Sequence, residues 1–157
     1  MTEERTLGPD AAVTLQEITQ ATLRPILKLS DTLKPNQEKM VAPNAVSIAE
    51  AYFCDKAWFR AIYADETPVG FVMLYIDPEK DLYYLWRLMI GGDYQGLGFG
   101  QRAMEQVIEH VRTYPNAKEM KASYVPIEGG PKAFYHSLGF TETGEMDGDE
   151  VVIRLAL

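Results

Sequence analysis

The chain has 157 residues, of which 46% are hydrophobic and 24% are charged, and its formal net charge is −8. This size and composition predict a single domain over residues 1–157 that buries one sizeable hydrophobic core. The acidic balance argues against nucleic acid as a partner, because binding phosphates requires a basic surface, whereas small cations are attracted.

The first third of the chain predicts one strand and then two helices, in the segments VTLQEIT (residues 13–19), TLRPILKLSDTL (22–33) and SIAEAYF (47–53). The first segment alternates apolar and polar residues, which is typical of a half-buried strand. Pro25 falls in the first turn of the first helix, where proline is tolerated. After a loop at residues 34–44, Ser47 and Glu50 have the spacing of a capping box that would begin the second helix.

Cys54, the single cysteine of the chain, follows the second predicted helix and cannot form an internal disulfide. We predict that it is a buried small hydrophobic residue and that the protein works in the reducing cytoplasm. No apolar run approaches the roughly 20 residues that span a bilayer, so we expect a soluble protein with no signal peptide and no membrane partner.

Three adjacent antiparallel strands are predicted in the middle of the chain, in the segments AWFRAIYA (57–64), VGFVMLYI (69–76) and LYYLWRLMI (82–90). The segments are rich in aromatic and β-branched residues, and connections as short as those between them join antiparallel neighbours. Asp77, Glu79 and Asp81 are predicted to be solvated charges in a turn. Trp86 and Arg87 are unusual in an apolar strand, and we favour packing and an ion pair for them over a place in a substrate cleft.

The last third predicts a helix, a strand, a second helix and a closing pair of strands. The helical stripe is predicted to be core packing and consists of Ala103, Met104, Val107, Ile108 and Val111. The later segments are EMKASYV (119–125), GPKAFYHSL (130–138, closed by Gly139) and VVIRLAL (151–157). His110 is predicted to be solvated, and so are Asp147, Asp149 and Glu150 at the tip of a hairpin. The element order predicts a mixed sheet with one strand-helix-strand crossover, an α/β (α+β) class.

The segment QGLGFG lies at that crossover and begins what we call the glycine loop, residues 95–101. A glycine-rich turn between a strand and a helix presents free amide N–H groups at the positive end of the helix dipole, which suits phosphate. A Walker loop is excluded, because no Lys-Ser or Lys-Thr follows the glycines. Gly98, Gly100 and Ala103 match a dinucleotide fingerprint, which ranks second because meander strands precede it. A tight turn without a ligand also stays open.

Two separated segments, QGLGFG and FYHSLGF (134–140), resemble motifs of the GNAT superfamily of acyl-CoA-dependent N-acetyltransferases. The first resembles the Q/R-x-x-G-x-G/A pyrophosphate loop, and the second the Tyr-x-x-Leu-Gly-Phe segment near the end of that fold. More narrowly, VAPNAVSIAEAYF, LWRLMIGGDYQGLGFG and TGEMDGDEVVIRLAL are similar to bacterial spermine/spermidine acetyltransferases and their diamine-acetylating relatives. The resemblance covers the whole chain and implies a mostly antiparallel twisted sheet flanked by helices.

The resemblance also implies acetyl-CoA as co-substrate, no metal, and a primary amine, above all a polyamine such as spermidine or spermine, as acceptor. One GNAT scaffold serves many acceptors. A protein, an aminoglycoside or another small amine therefore stays open as the acceptor, as does a non-enzymatic acyl-CoA-binding sensor. By analogy with the family, the late strands could also form a homodimer interface.

The resemblance assigns roles to three groups of residues. Backbone amides of the glycine loop would bind the CoA pyrophosphate, and the loop consists of Gln95, Gly96, Leu97, Gly98, Phe99, Gly100 and Gln101. The backbone of Leu88, Met89 and Ile90 would hold the pantetheine arm, with one N–H group polarising the thioester carbonyl. Tyr135 occupies the position of the general acid that protonates the leaving thiolate. His136 points about 100° away from it on a helix, so we assign it to another face.

The source of a catalytic base is not evident from the sequence. An amine with a pKa near that of lysine, roughly 10.4, costs on the order of 4.6 kcal/mol to deprotonate at pH 7, and the protonated form is not a nucleophile. No carboxylate stands out for this role. A water relay to the surface and a single basic residue stay equally open.

Overall fold

The computed structural model describes residues 7–157 of the chain, which form one seven-stranded sheet covered by helices on both faces. The strands are β1 (Val13–Gln16), β2 (Ala57–Ala64), β3 (Thr67–Asp77), β4 (Leu82–Ile90), β5 (Glu119–Tyr124), β6 (Thr141–Asp147) and β7 (Glu150–Ala156). Their spatial order is β1-β2-β3-β4-β5-β7-β6. Within residues 7–157, only the β4–β5 pair is parallel, which confirms the predicted mixed and mostly antiparallel sheet.

In the described part of the chain, four α-helices flank the sheet, namely α1 (Leu23–Lys28), α2 (Asn44–Tyr52), α3 (Phe99–Arg112) and α4 (Lys132–Ser137). Short 3₁₀ turns lie at Leu29–Thr32, Gln37–Lys39, Pro78–Lys80 and Gly92–Tyr94. One hydrophobic core lies under α3 and α4, where all five residues of the predicted α3 stripe are buried. A second core lies on the opposite face, under α1 and α2, around Ile26, Phe71 and Met73.

The predicted capping box at Ser47 and Glu50 is wrong, because α2 begins three residues earlier, at Asn44. The Asn44 amide side chain is buried and donates a hydrogen bond to the Ile26 carbonyl oxygen at 2.8 Å, which anchors the start of α2 on α1. Ser47 is therefore inside the helix and fully buried, and its hydroxyl donates to the Pro43 carbonyl oxygen at 3.4 Å.

Three predictions about individual side chains are also wrong, two of them because of neighbours that are distant in sequence. Cys54 is only partly buried, in the short connection between α2 and β2. Asp77 is buried at the end of β3, with a carboxylate oxygen 4.0 Å from Lys56 Nζ. His110 is half-buried, because its ring stacks on Trp58 at a centroid distance of 4.5 Å.

The feature of the sheet that matters most for function is the parting of β4 and β5. The register joins these strands at one position, Tyr84 with Lys121, and β4 then continues to Ile90 without a strand on that edge. Its other edge stays paired with β3, as far as Ile90 with Gly70. We call the resulting opening the β4–β5 gap. No helix within residues 7–157 is both long enough and apolar enough to cross a membrane.

Candidate active site

The glycine loop follows β4 and a short 3₁₀ turn and leads into α3, and there is empty space around the backbone of two of its glycines. Gly96 and Gly98 have φ angles of +80° and +82°, which glycine adopts without strain, and a Cβ at either position would meet no atom within 4 Å. Gly98 is the N-cap of α3, and no side chain among residues 7–157 caps the first turn. The N–H groups at the start of this 14-residue helix lie at the positive end of its dipole without a side-chain partner in the described chain, which is a geometry suited to an anion.

Gln95 uses its side chain to hold the shape of the glycine loop. Its amide nitrogen donates to the Ile90 carbonyl oxygen at 2.9 Å. It also exchanges two hydrogen bonds of 2.9 Å with the amide of Gln37, in the segment between α1 and α2. The sequence pattern pointed to Gln95 but not to Gln37, because 58 positions separate the two residues and no local motif connects them.

The end of β4 forms one wall of the β4–β5 gap. Leu88 and Ile90 pack against the core under α3, whereas Met89 is buried on the opposite face. There the Met89 sulfur accepts a hydrogen bond from the Asn44 side-chain amide at 3.6 Å. Because β3 pairs with only one edge of this segment, the peptide groups on the gap edge have no strand partner. These groups are the ones that a ligand in the gap could reach.

Trp86 forms a bulge in β4 at the beginning of the gap. Arg87 pairs with Met73 and Leu85 pairs with Leu74, so Trp86 has no partner of its own in β3. The predicted ion pair of Arg87 is confirmed, with Nη2 at 3.5 Å from a carboxylate oxygen of Glu50. Trp86 and Arg87 also line the cleft described next.

A cleft of about 1030 Å³ extends from the glycine loop through the β4–β5 gap to the β6–β7 hairpin. At one end it is lined by Gln95 and Gly100, and at the other by Asp147 and Glu150. Its volume is at the upper end of the range that small-molecule sites occupy, roughly 300–1,000 Å³. We call its two ends the glycine-loop end and the hairpin end.

Tyr135 lies on α4 and lines the middle of the cleft. Only 8% of it is exposed, and its ring packs on Tyr124 and Phe140 at centroid distances of 6.1 and 5.6 Å. Burial raises the pKa of the Tyr135 hydroxyl well above its usual value, and the negative charge of Glu150 raises it further. Tyr135 is therefore protonated at neutral pH, as a proton donor must be.

His136 points away from the cleft, as the helical spacing predicted. Its Nε2 atom lies 3.1 Å from a carboxylate oxygen of Glu142. Both side chains are partly exposed to solvent on the outer side of α4.

The hairpin end contains polar residues that the sequence did not identify as site residues. Tyr84 from β4 and Ser123 from β5 line the cleft there together with Asp147 and Glu150. Burial raises the pKa of Tyr84, a hydrogen bond with Ser123 lowers it, and the charges of Asp147 and Glu150 raise it. Asp149 is exposed, as predicted for a hairpin tip. No sequence motif joins these residues, because strand order alone brings β4, β5 and β7 together.

Comparison with known proteins identifies the family. Residues 25–140, which include the glycine loop and Tyr135, match the Acetyltransferase (GNAT) family. The chain belongs to this family. It is an acetyl-CoA-dependent N-acetyltransferase, and the predicted GNAT fold is confirmed. Among residues 7–157, no group of three or more His, Cys, Asp or Glu side chains is placed to hold a metal ion.

One relative and two solved structures illustrate the similarity of this GNAT chain to other members. It is 24% identical over 151 residues to the spermine/spermidine N(1)-acetyltransferase of Bacillus subtilis, which covers 91% of this chain and 98% of the relative. An acetyltransferase of Thermus thermophilus superposes with a TM-score of 0.76 at 18% identity, over 93% of this chain and 97% of its own. The PaiA N-acetyltransferase of Thermoplasma acidophilum, solved with coenzyme A, has a TM-score of 0.68 at 15% identity, over 93% and 99%.

Proposed function

We propose that this GNAT enzyme transfers the acetyl group of acetyl-CoA to a primary amine of a polyamine such as spermidine or spermine, with Tyr135 as general acid. The observation that carries the proposal is the course of the cleft. It runs from the uncapped start of α3, past Tyr135, to the carboxylates of Asp147 and Glu150. The anionic co-substrate would thus bind at the positive end of the helix dipole, and the cationic acceptor would bind at the carboxylates of the other end.

The glycine-loop end fits the pyrophosphate of acetyl-CoA. The positions that added Cβ atoms would take at Gly96 and Gly98 are empty, so the backbone can approach an anion closely. From there the pantetheine arm would follow the gap edge of β4 along Leu88, Met89 and Ile90. The arm would form hydrogen bonds with their peptide groups in place of those that β5 does not supply.

Chemistry would take place where the gap passes Tyr135. A free amine attacks the thioester carbonyl, and an N–H group on the gap edge of β4 stabilises the charge that develops on the carbonyl oxygen. As the carbon–sulfur bond breaks, the Tyr135 hydroxyl donates its proton to the departing sulfur. Burial raises the pKa of the Tyr135 hydroxyl, so the hydroxyl carries its proton at the start of the reaction.

The choice of a polyamine depends on the hairpin end and on one relative. Two carboxylates line the cleft at this end, those of Asp147 and Glu150. The two cations of the lining do not offset them, because Arg87 is paired with Glu50 and Lys39 lies with Glu38 on the segment that contacts the glycine loop through Gln37, so negative charge prevails at the hairpin end. A polyamine carries ammonium groups at intervals along its chain and could place one beside these carboxylates while another nitrogen attacks. The similarity to an enzyme named for spermine and spermidine supports the same choice.

The test is a thiol-release assay with acetyl-CoA, with products identified by mass spectrometry. Spermidine and spermine compete with a monoamine of equal length, an aminoglycoside and a peptide with a free N-terminus. We expect acetylspermidine as the main product. The preference for spermidine over the monoamine should shrink as salt is raised from 20 to 500 mM, because the Debye length falls below about 8 Å. Preferred acetylation of the peptide or the aminoglycoside would refute the polyamine and leave the acetyltransferase assignment in place.

A further inference from the structure

We propose that Glu150 is the catalytic base of this enzyme, receiving the proton of the acceptor ammonium on the face of the sheet opposite Tyr135. The inference rests on the proposed function insofar as the acceptor is an amine and Tyr135 is the acid. It assigns a role that no family motif in the chain indicates. It also answers the question of where the amine is deprotonated.

Strand register places Glu150 on one particular face of the sheet. Ser123 pairs with Val152 in the β5–β7 ladder, so these two side chains share a face, and Glu150, two residues from Val152, lies on the same face. Tyr84 pairs with Lys121, two residues from Ser123, and belongs to that face as well. Tyr84, Ser123 and Glu150 therefore form one polar group beside the β4–β5 gap.

Tyr135 reaches the gap from the other face. It projects from α4, which packs on the face to which Tyr124 points, and its ring stacks on that tyrosine. In a closed sheet the two faces would be separated by paired backbone. Here the sheet opens just beyond the Tyr84–Lys121 pair, and both Glu150 and Tyr135 line the cleft that passes through the opening. An acyl carbon in the gap would have a carboxylate on one side and a phenol on the other.

Among the carboxylates near the cleft, Glu150 is the best placed to act on the reacting nitrogen. It is partly buried, whereas Asp147 is exposed, and Glu50 is occupied by Arg87. Glu38 lies on the segment between α1 and α2, outside the polar group around Tyr84. Of these four, Glu150 is the one whose charge acts on the hydroxyls of both Tyr84 and Tyr135, raising the pKa of each.

The proton balance of the reaction is complete with these groups. The ammonium loses one proton to the Glu150 carboxylate, directly or through a water molecule beside Tyr84, and the neutral amine forms the carbon–nitrogen bond. When the carbon–sulfur bond breaks, the sulfur receives a proton from Tyr135. The nitrogen loses its second proton, which restores Tyr135, and Glu150 releases the first to solvent. The sum is one amide, one thiol and one proton for each ammonium and thioester consumed.

The test compares Glu150→Gln with Asp149→Asn, which removes a carboxylate one residue away on the exposed tip of the same hairpin. We expect Glu150→Gln to lower kcat/KM for spermidine by about 10²-fold at pH 7, the scale of general base catalysis. The deficit should shrink toward pH 10, because bulk water then supplies the free amine. Burial raises the pKa values of Tyr84 and Tyr135 above the ordinary tyrosine value of about 10, so both hydroxyls keep their protons through most of this range. Asp149→Asn should match the wild type throughout.

Two readouts separate catalysis from other roles of Glu150. If Glu150 only binds a distant ammonium, Glu150→Gln will raise KM for spermidine at every pH and leave a monoamine unaffected, which would overturn the proposal. A loss of kcat that does not recover at high pH, or a lower melting temperature with weaker acetyl-CoA binding in calorimetry, would overturn it as well. Failure of the polyamine assignment is distinguishable, because the preferred amine of the wild type can replace spermidine in the same comparison.

Discussion

The two ends of the cleft are built in different ways. The glycine-loop end consists of consecutive backbone, residues 95–101, whose open geometry comes from glycines with positive φ angles. The hairpin end consists of side chains from four strands, and Tyr84, Ser123 and the pair Asp147 and Glu150 are separated by dozens of positions in sequence. The first end suits a co-substrate that every GNAT enzyme shares, and the second suits an acceptor that differs between members.

The difference shows where specificity can change without loss of the fold. A side chain at the hairpin end can be replaced while β4, β5 and β7 remain paired, because the backbone ladder does not depend on it. The glycine loop has less freedom, since a side chain at Gly98 would be strained at φ +82° whatever space it has. We therefore expect acceptor preference to be mutable and acetyl-CoA binding to be sensitive to small changes of the loop.

The largest expected effect is at Tyr135, between the two ends. Tyr135→Phe removes one hydroxyl and should lower kcat by about 10²-fold, with the affinity for acetyl-CoA unchanged in calorimetry. Because the pKa of Tyr135 lies above its usual value, the wild-type kcat should not decline up to about pH 10 through loss of this proton. Tyr63→Phe is the matched control, since Tyr63 is equally buried and does not line the cleft. Full activity of Tyr135→Phe would show that the proton comes from elsewhere.

The next effect tests the glycine-loop end alone. Gly98→Val should weaken acetyl-CoA binding by at least about tenfold, because the side chain enters the space left for phosphate and disfavours the φ angle of the loop. Gly144→Val is a matched control. Gly144 has a φ angle of +85° against +82° at Gly98, and both have nothing within 4 Å of an added Cβ, but Gly144 lies on the exposed β6–β7 hairpin. Equal weakening by both variants would mean that general destabilisation of the fold, and not the phosphate site, explains the loss.

The smallest effect should appear away from both ends, at His110. Burial lowers the pKa of His110, and the nearby Arg60 cation lowers it further. The unfolded chain therefore binds this proton more readily, and stability should fall as the pH drops below about 6.5. His110→Phe keeps the stacking on Trp58. Its melting temperature should therefore fall less than that of the wild type between pH 8 and pH 5.5. Its kinetic constants at pH 8 should stay unchanged. An identical drop in both proteins would rule out His110 as the source.

Sequence reasoning succeeded where a structure depends on neighbours along the chain. The α3 stripe from Ala103 to Val111 is buried as predicted, because helical spacing alone puts those residues on one side. The strands β2, β3 and β4 lie side by side because their connections are too short for any other arrangement. Prediction from the sequence failed at Ser47 and His110, where a buried contact between distant elements overrides the local pattern.

The same division applies to the site. The chain itself specifies the glycine loop and the tyrosine segment, since each is a short run whose backbone or side chain acts within one turn. Only the tertiary structure decides that the sheet opens beyond Tyr84 and that Glu150 and Tyr135, on opposite faces of the sheet, line the same cleft. Residue alternation along a strand can be read from sequence. Strand order and register cannot, because they depend on packing between residues that are far apart in the chain.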